Sequence, residues 1–206
     1  LYLKKYSDSN LSATNKRWDK SYIYNGLLAA ARDNRVTVVQ NLTEGMQIKL
    51  GSQMKLTLYN TVVRKKIPDE NSNSLIIKVN ACGRTTVLTG DAVPEVVRWL
   101  LNNKKLGSTD ILKLPHHGYR QNNPDDILKK FAPGTAVVTG PVSNMDSGTQ
   151  NLLRSMGTDV KSTCSTSQAA IVSQFTAAGY TCSAKSVKGG WFTYDGGRYY
   201  MDTAGR

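Results

Sequence analysis

The stretch from residue 73 to residue 118 constrains the fold more than any other part of the chain. Two β-rich runs, 74–79 and 85–88, are joined by a turn-like segment and predict a pair of strands. Pro94 then stands where the first residue of a helix belongs, and apolar side chains follow it at helical spacing. The apolar run 110–114 predicts the next strand. The pattern is therefore strand, helix, strand.

Polar side chains follow two of these strands directly. Asp91 comes after one strand, and His116 and His117 come after the other. A strand–helix–strand connection of this length is almost always right-handed if its strands are parallel, so these side chains meet at one sheet edge, where open α/β sheets bind ligands. Because the only two histidines of the chain converge there on a carboxylate, the sequence predicts a metal or catalytic site. A turn or helix cap at Asp91, with structural histidines, is the alternative.

The same region resembles the second half of a metallo-β-lactamase-fold hydrolase. The resemblance is carried by Ser74-Leu75-Ile76-Ile77, Leu88-Thr89-Gly90-Asp91-Ala92 and Asp110-Ile111-Leu112-Lys113-Leu114-Pro115-His116-His117-Gly118. It is strongest to the branch that has Gly-Asp and His-His-Gly motifs, which includes DNA-uptake channel nuclease domains and teichoic-acid phosphorylcholine esterases. Segments 2–8, 15–19 and 39–41 look closer to the esterases. The resemblance covers about residues 1–175.

The resemblance implies an α/β fold, namely half of a metallo-β-lactamase αββα sandwich with a mixed sheet and helices. In that family the Asp of the Gly-Asp motif bridges two divalent metal ions, with zinc expected, and this role carries onto Asp91. The His-His-Gly motif supplies another ligand, carried onto His117, with His116 as the second choice. Asp91 and His117 are then the implied catalytic residues.

One motif of the superfamily is missing from this sequence. A His-x-His-x-Asp-His motif supplies most of the metal ligands in the first half of that fold, and nothing like it occurs here. We therefore expect the chain to begin after that half and to be partnered by it. With about two ligands for two ions, the chain by itself is expected to be catalytically silent.

Residues 183–206 differ in character from residues 1–182, which we predict to form the metallo-β-lactamase-like domain. A linker-like run precedes an aromatic segment that resembles one unit of the Gly-Trp, Tyr-Tyr wall-binding repeats of choline-binding and glucan-binding surface proteins. This predicts a C-terminal β-hairpin that binds a ligand through Trp191, Tyr199 and Tyr200, since aromatic faces can cage a quaternary ammonium. A terminal hairpin packed on the main domain is the alternative. Arg198 stands where choline-binding repeats often have Trp, which leaves choline itself open.

Charge, hydropathy and cysteine content bear on the binding partners, on membrane spans and on disulfide pairing. The net charge is +12, from 27 Lys and Arg against 15 Asp and Glu, which favours nucleic acid or a phosphate-rich wall polymer; a merely soluble basic surface is the alternative. No apolar run approaches the roughly 20 residues that span a membrane. Cys164 and Cys182 flank a strand-like stretch and could pair in an oxidising compartment, whereas Cys82 is expected to stay free.

Outside the central unit, the pattern predicts further elements. A helix is expected over 16–34, with Trp18, Tyr22, Ile23, Leu27 and Ala30 on a buried face. A hairpin is expected over 46–58, with one face of each strand buried and the other in water. Helices are expected near 124–131 and 148–156, and strands at 36–39, 135–139 and 169–175. Lys113 could add positive charge near a bound phosphate, but it is expected to be a solvated residue at a strand end.

Three functions remain open at this stage. The first is a secreted, cell-wall-associated metal-dependent phosphodiesterase that releases phosphorylcholine from teichoic acid. The second is a DNA-uptake-type nuclease of the same superfamily, in which nucleic acid is the partner. The third is a non-catalytic wall-binding fragment that lacks the first-half metal motif. The aromatic tail favours the first, because DNA-uptake domains have no wall-binding repeat.

Overall fold

A computed structural model of the chain describes residues 1–10, 21–67, 70–164, 169–186, 190–194 and 197–201. The α-helices in these ranges are α1 Ser21–Asp33, α2 Pro94–Asn102, α3 Asp125–Phe131 and α4 Ser147–Ser155. The strands are β1 Gln47–Leu50, β2 Met54–Tyr59, β3 Ile76–Ala81, β4 Arg84–Leu88, β5 Ile111–Lys113, β6 Thr135–Val138, β7 Asp159–Ser162, β8 Ala169–Thr176, β9 Gly179–Ser186, β10 Gly190–Tyr194 and β11 Gly197–Met201.

Strands β1 to β7 form one mixed sheet in which neighbours in the sequence are neighbours in space. The pairings from β1 to β4 are antiparallel, and those from β4 to β7 are parallel. The predicted α/β fold with a mixed sheet and helices is therefore confirmed. Among the described residues, no helix has the length and apolar content needed to cross a membrane.

The parallel half of the sheet and helices α2, α3 and α4 share one apolar core. Val87, Leu112 and Ala136 are register partners, so they point to the same face of the sheet, and all three are buried. Leu100 of α2 and Phe131 of α3 pack into the same cluster with no exposed surface. Each such side chain contributes about 1.5–3 kcal/mol when it is fully buried. Burial on this side fixes the register of β4 and β5, and with it the position of the residues that follow them.

The opposite face of the sheet is partly covered by a separate antiparallel pair, β8 and β9. The hydroxyl of Tyr180 in β9 donates to the Asp110 carbonyl oxygen at 3.1 Å and lies 3.2 Å from the Thr135 hydroxyl. The strand predicted at 169–175 is therefore present, but it pairs with β9 and not with the main sheet. Leu88, which points to this opposite face, is 40% exposed.

The predicted orientation of the first helix is wrong. Helix α1 exposes Tyr22, Ile23 and Leu27 to solvent, by 71%, 54% and 44%, and Ala30 is exposed as well. It turns Ala31 and the partly buried Leu28 inward, on a second apolar stripe of the same helix. A helix with two apolar stripes can bury either one, and the choice depends on which neighbours are present. Trp18 lies outside the described residues.

Two smaller predictions also fail. The expected strand at 36–39 is reduced to an isolated bridge between Val39 and Tyr2. The hairpin β1–β2 forms as predicted, but β1 does not bury one face, because Leu50 is 49% exposed at the edge of the sheet. Cys82, Cys164 and Cys182 are all free thiols in the structure.

The predicted C-terminal β-hairpin is present as the antiparallel pair β10–β11. Trp191 is the register partner of Tyr200, and Tyr199 is the partner of Phe192. The side chains of these strands, and residues 187–189 of the predicted linker, lie outside the described part of the chain. Ligand binding by Trp191, Tyr199 and Tyr200 stays a prediction. So does the division into 1–182 and 183–206, a boundary that β9 crosses.

Candidate metal centre

The parallel pairing of β4 and β5 brings the two predicted site segments to one edge of the sheet. Asp91 follows Gly90 just beyond β4, and the His116 backbone N–H, beyond β5, donates to the Gly90 carbonyl oxygen at 3.2 Å. Gly90 has φ +55°, and a Cβ at this position would lie 3.2 Å from the Cβ of Ser74. A glycine is needed here because both the backbone angle and the contact disfavour any side chain.

Asp91 and His117 face each other across this edge. The Nε2 atom of His117 lies 3.5 Å from Oδ2 of Asp91. On the other side of the ring, Nδ1 lies 2.8 Å from the Thr139 carbonyl oxygen, which can only accept a hydrogen bond. Nδ1 therefore carries a proton, and a neutral ring presents its Nε2 lone pair to the carboxylate. Nε2 and Oδ2 are suitable donors for one shared metal ion, and because the two side chains are 44% and 33% exposed, a water molecule can bridge them as well.

His116 lies beside this pair. Its ring makes edge contacts with the rings of His117 and Tyr119, with centroids 5.8 and 5.6 Å away. Both histidines have positive φ angles, 44° for His116 and 53° for His117, which residues other than glycine adopt at a cost in energy. The structure thus places the first-choice ligand, His117, against Asp91. The role of either histidine in metal binding stays a prediction.

Asparagine side chains hold the histidine loop in this strained form. The Asn123 amide is fully buried and donates to the carbonyl oxygens of Pro115 and Tyr119, at 2.9 and 2.8 Å. The Asn144 amide donates to the His117 carbonyl oxygen at 3.1 Å. The sequence analysis missed both residues, because a single asparagine in a loop carries no pattern that marks it as a support.

Lys113 is a further member of the site, and the expectation that it is solvated is wrong. Its side chain is only 15% exposed. Its Nζ donates to the Gly90 carbonyl oxygen at 2.6 Å and lies 3.5 Å from Oδ1 of Asp91. Burial lowers the pKa of Lys113, and the Asp91 carboxylate opposes that effect. The alternation along β5 contained a signal, since Lys113 points to the same face as Ile111 and away from the helices.

These residues fit part of a metal site. Asp91 and His117 are two suitable donors, and the bond from His117 to a backbone carbonyl is the usual support for a histidine ligand. Within the described part of the chain, no three His, Cys, Asp or Glu residues are close enough to hold a metal ion. A catalytic zinc usually has three protein ligands. Mg²⁺, by contrast, takes one or two carboxylates and completes its shell with water and substrate phosphate oxygens.

Comparisons with known proteins gave two distant similarities. No protein-family model matches the chain. Among curated proteins, it is similar to ComE operon protein 3 of Bacillus subtilis (strain 168), with 25% identity over 122 residues. That match covers 57% of this chain but only 15% of the Bacillus protein. Among solved structures, it is similar to a Parabacteroides distasonis protein provisionally described as a metal-dependent hydrolase, with a TM-score of 0.42 and 16% identity over 65% of this chain and 60% of that one.

Proposed function

We propose that the protein is a metal-dependent phosphodiesterase and that DNA is its substrate. The observation that carries the proposal is the contact between His117 and Asp91, in which Nε2 of the histidine lies 3.5 Å from Oδ2 of the aspartate. When the ring is neutral with its proton on Nδ1, both of these atoms are acceptors. A divalent cation satisfies both atoms at once. The similarity to ComE operon protein 3 over 122 residues supports a hydrolase of this superfamily.

Each residue of the site has a defined task in this proposal. A bound divalent ion supplies Lewis-acid stabilisation of the phosphate and a water of lowered pKa. Asp91 and His117 hold that ion. The Thr139 carbonyl oxygen fixes the orientation of the His117 ring through Nδ1. Lys113 places a positive charge beside Asp91, where it can add to the attraction for an anionic substrate.

DNA is proposed ahead of the wall polymer because the Gly-Asp and His-His-Gly motifs resemble those of DNA-uptake channel nuclease domains and because the chain is similar to ComE operon protein 3. The net charge of +12 suits either polyanion and does not distinguish them. Neither comparison bears on choline or on teichoic acid. Support for the wall-polymer alternative comes from two resemblances. Segments 2–8, 15–19 and 39–41 look closer to phosphorylcholine esterases, and the C-terminal hairpin resembles a wall-binding repeat of surface proteins. Secretion and attachment to the cell wall belong to that alternative.

The test is hydrolysis of single-stranded and duplex DNA in millimolar Mn²⁺, beside turnover of a choline-phosphate ester. Asp91→Asn and His117→Ala are the controls for contaminating nuclease. DNA cleavage that chelation and both substitutions abolish supports the proposal. Ester turnover with intact DNA favours the phosphorylcholine esterase. Turnover of neither substrate contradicts the proposal for this chain and leaves the non-catalytic fragment, in line with the silence expected from the missing motif.

A further inference from the structure

The loop over residues 62–67, which we call the basic loop, presents three consecutive cations between β2 and β3. Arg64, Lys65 and Lys66 are all exposed. In the described part of the chain, none of them forms an ion pair with a carboxylate. Their charges are therefore available to an anionic partner.

Hydrogen bonds to Asn73 and Asn10 hold the backbone of the basic loop in place. Asn73 is 5% exposed, and its side chain accepts from the Arg64 N–H at 2.7 Å and donates to the Arg64 carbonyl oxygen at 3.0 Å. Ile67 is buried, and its N–H donates to the Asn10 carbonyl oxygen at 2.9 Å. A fixed backbone lowers the ordering cost of binding, which is then limited to the rotamer freedom of the three cationic side chains.

A cleft of about 600 Å³ opens between the basic loop and helix α2. Val96 and Leu100 are buried residues of α2 in its lining. Two large side chains in the lining are exposed to solvent, Trp99 by 50% and Val62 by 70%. Of the three cations, Arg64 also lines the cleft. An exposed indole beside a cation is an arrangement with which proteins bind single-stranded nucleic acid, since a base can stack on the ring while its phosphate meets the cation.

Two carboxylates, Glu44 and Glu95, line the cleft together with Arg64. Glu44 accepts hydrogen bonds from the backbone N–H groups of Asn60 and Thr61, at 3.3 and 3.0 Å, which hold its carboxylate in place. Glu95 lies in the first turn of α2, where the positive end of the helix dipole faces it. Neither carboxylate belongs to the basic loop.

The cleft is connected to the candidate metal centre through Ser74. The Asn60 amide, at the start of the segment that leads into the basic loop, donates to the Ser74 carbonyl oxygen at 2.8 Å. The Ser74 hydroxyl in turn accepts from the Asp91 N–H at 3.3 Å. The end of β2 and the end of β4 also lie at the same edge of the sheet, because Leu58 and Leu88 are both register partners of Ile77.

We propose that the cleft and the basic loop form a binding surface for single-stranded DNA, with a base stacked on Trp99 and phosphates held by Arg64, Lys65 and Lys66. The hydrogen bonds of Ser74 to Asn60 and to Asp91 link the segment before the basic loop to the candidate metal centre. Single-stranded DNA fits better than duplex, because only unpaired bases can reach an aromatic face. This inference rests on the proposed function and names the form of its substrate.

The experiment measures binding of a labelled oligothymidylate in chelator with the Asp91→Asn variant, so that hydrolysis plays no part. The double substitution Lys65→Ala/Lys66→Ala is compared with Lys104→Ala/Lys105→Ala, which removes the same charge from an exposed turn after α2. Lys66 and Lys104 both have a φ angle of 55°, so substitution by alanine carries a similar backbone strain at these two positions. We expect the first pair to weaken binding about tenfold and to reduce the salt slope by about 1.4, and the second to change little.

A second variant separates stacking from charge. Trp99→Ala should weaken oligothymidylate binding by roughly tenfold or more, yet leave binding of inorganic polyphosphate unchanged. The inference is overturned if both lysine pairs have the same effect, if Trp99→Ala has none, or if duplex DNA binds as tightly as the single strand. Because binding is measured without metal, a failure here is distinct from a failure to detect hydrolysis.

Discussion

The Lys113 ammonium nitrogen lies 3.5 Å from Oδ1 of Asp91, on the opposite oxygen from the one that faces His117. A protein cation thus already neutralises the carboxylate that the sequence predicts to bind metal. The side chain is only 15% exposed and is tied to the Gly90 carbonyl oxygen, so water screens its charge poorly. A divalent ion at Asp91 has to compete with this ammonium.

We therefore expect Lys113→Met to bind Mn²⁺ more tightly than the unaltered protein, by on the order of tenfold, because one positive charge next to the ion is removed. Methionine keeps most of the length and the packing of lysine. Calorimetric titration of the metal measures the change. Lys104→Met, at an exposed position, is the control and should leave the affinity unchanged. Weaker binding by Lys113→Met would show instead that the ammonium is needed to position Asp91.

The two histidines should differ as metal ligands. His117→Ala is expected to abolish measurable Mn²⁺ or Zn²⁺ binding, since it removes one of two donors, whereas His116→Ala should retain it within a few-fold. The pair is well matched, because both residues have positive φ and an alanine is strained equally at either position. The same titration decides the matter. Loss of binding in His116→Ala, with retention in His117→Ala, would reverse the ligand assignment.

The central unit could be predicted from sequence because its determinants are local. Pro94 marks the start of α2, alternation marks β3 and β4, and the handedness rule then fixes where Asp91 and His117 meet. None of these steps requires knowledge of a distant neighbour. Local signals also placed helix α3, which follows Pro124, and helix α4, which shows apolar residues at helical spacing.

Strand β7 was not predicted because its local pattern is polar, with Asp159 and Lys161 paired at 2.9 Å at the edge of the sheet. Two other failures share a physical cause, which is that the deciding contact lies far away in sequence. The buried stripe of α1 depends on which neighbours it has. Lys113 owes its burial to Gly90 and Asp91, more than 20 residues earlier. The alternation along β5 places Lys113 on the face away from the helices, but it does not reveal these two contacts.

The β8–β9 pair is expected to depend on one hydroxyl. Tyr180→Phe removes the donor to the Asp110 carbonyl oxygen and should lower the free energy of unfolding by about 1 kcal/mol. Urea denaturation measures the loss. Tyr22→Phe removes the same atom from a residue that is 71% exposed and should have almost no effect. Equal effects of the two substitutions would mean that the hydroxyl of Tyr180 is solvated and does not attach the pair to the sheet.

The last prediction concerns Lys4, whose Nζ donates to the Asn60 carbonyl oxygen at 2.6 Å and lies 3.4 Å from Oδ1 of Asn73. Burial lowers the pKa of Lys4 to about 8 from its ordinary 10.5. Between these two pH values the unfolded chain binds more protons than the folded chain, so this residue makes the protein more stable as pH rises through that window.

Lys4→Met isolates this contribution. The free energy of unfolding of the unaltered protein minus that of Lys4→Met should increase from pH 7 to pH 10, as measured by urea denaturation. Tyr59, whose pKa is raised by burial and by Glu44, works in the opposite direction at high pH. It is present in both proteins and cancels in the difference. A difference that stays flat across this range would show that Lys4 is fully hydrated, and that the segment leading into the basic loop lacks the buried anchor on which its fixed backbone depends.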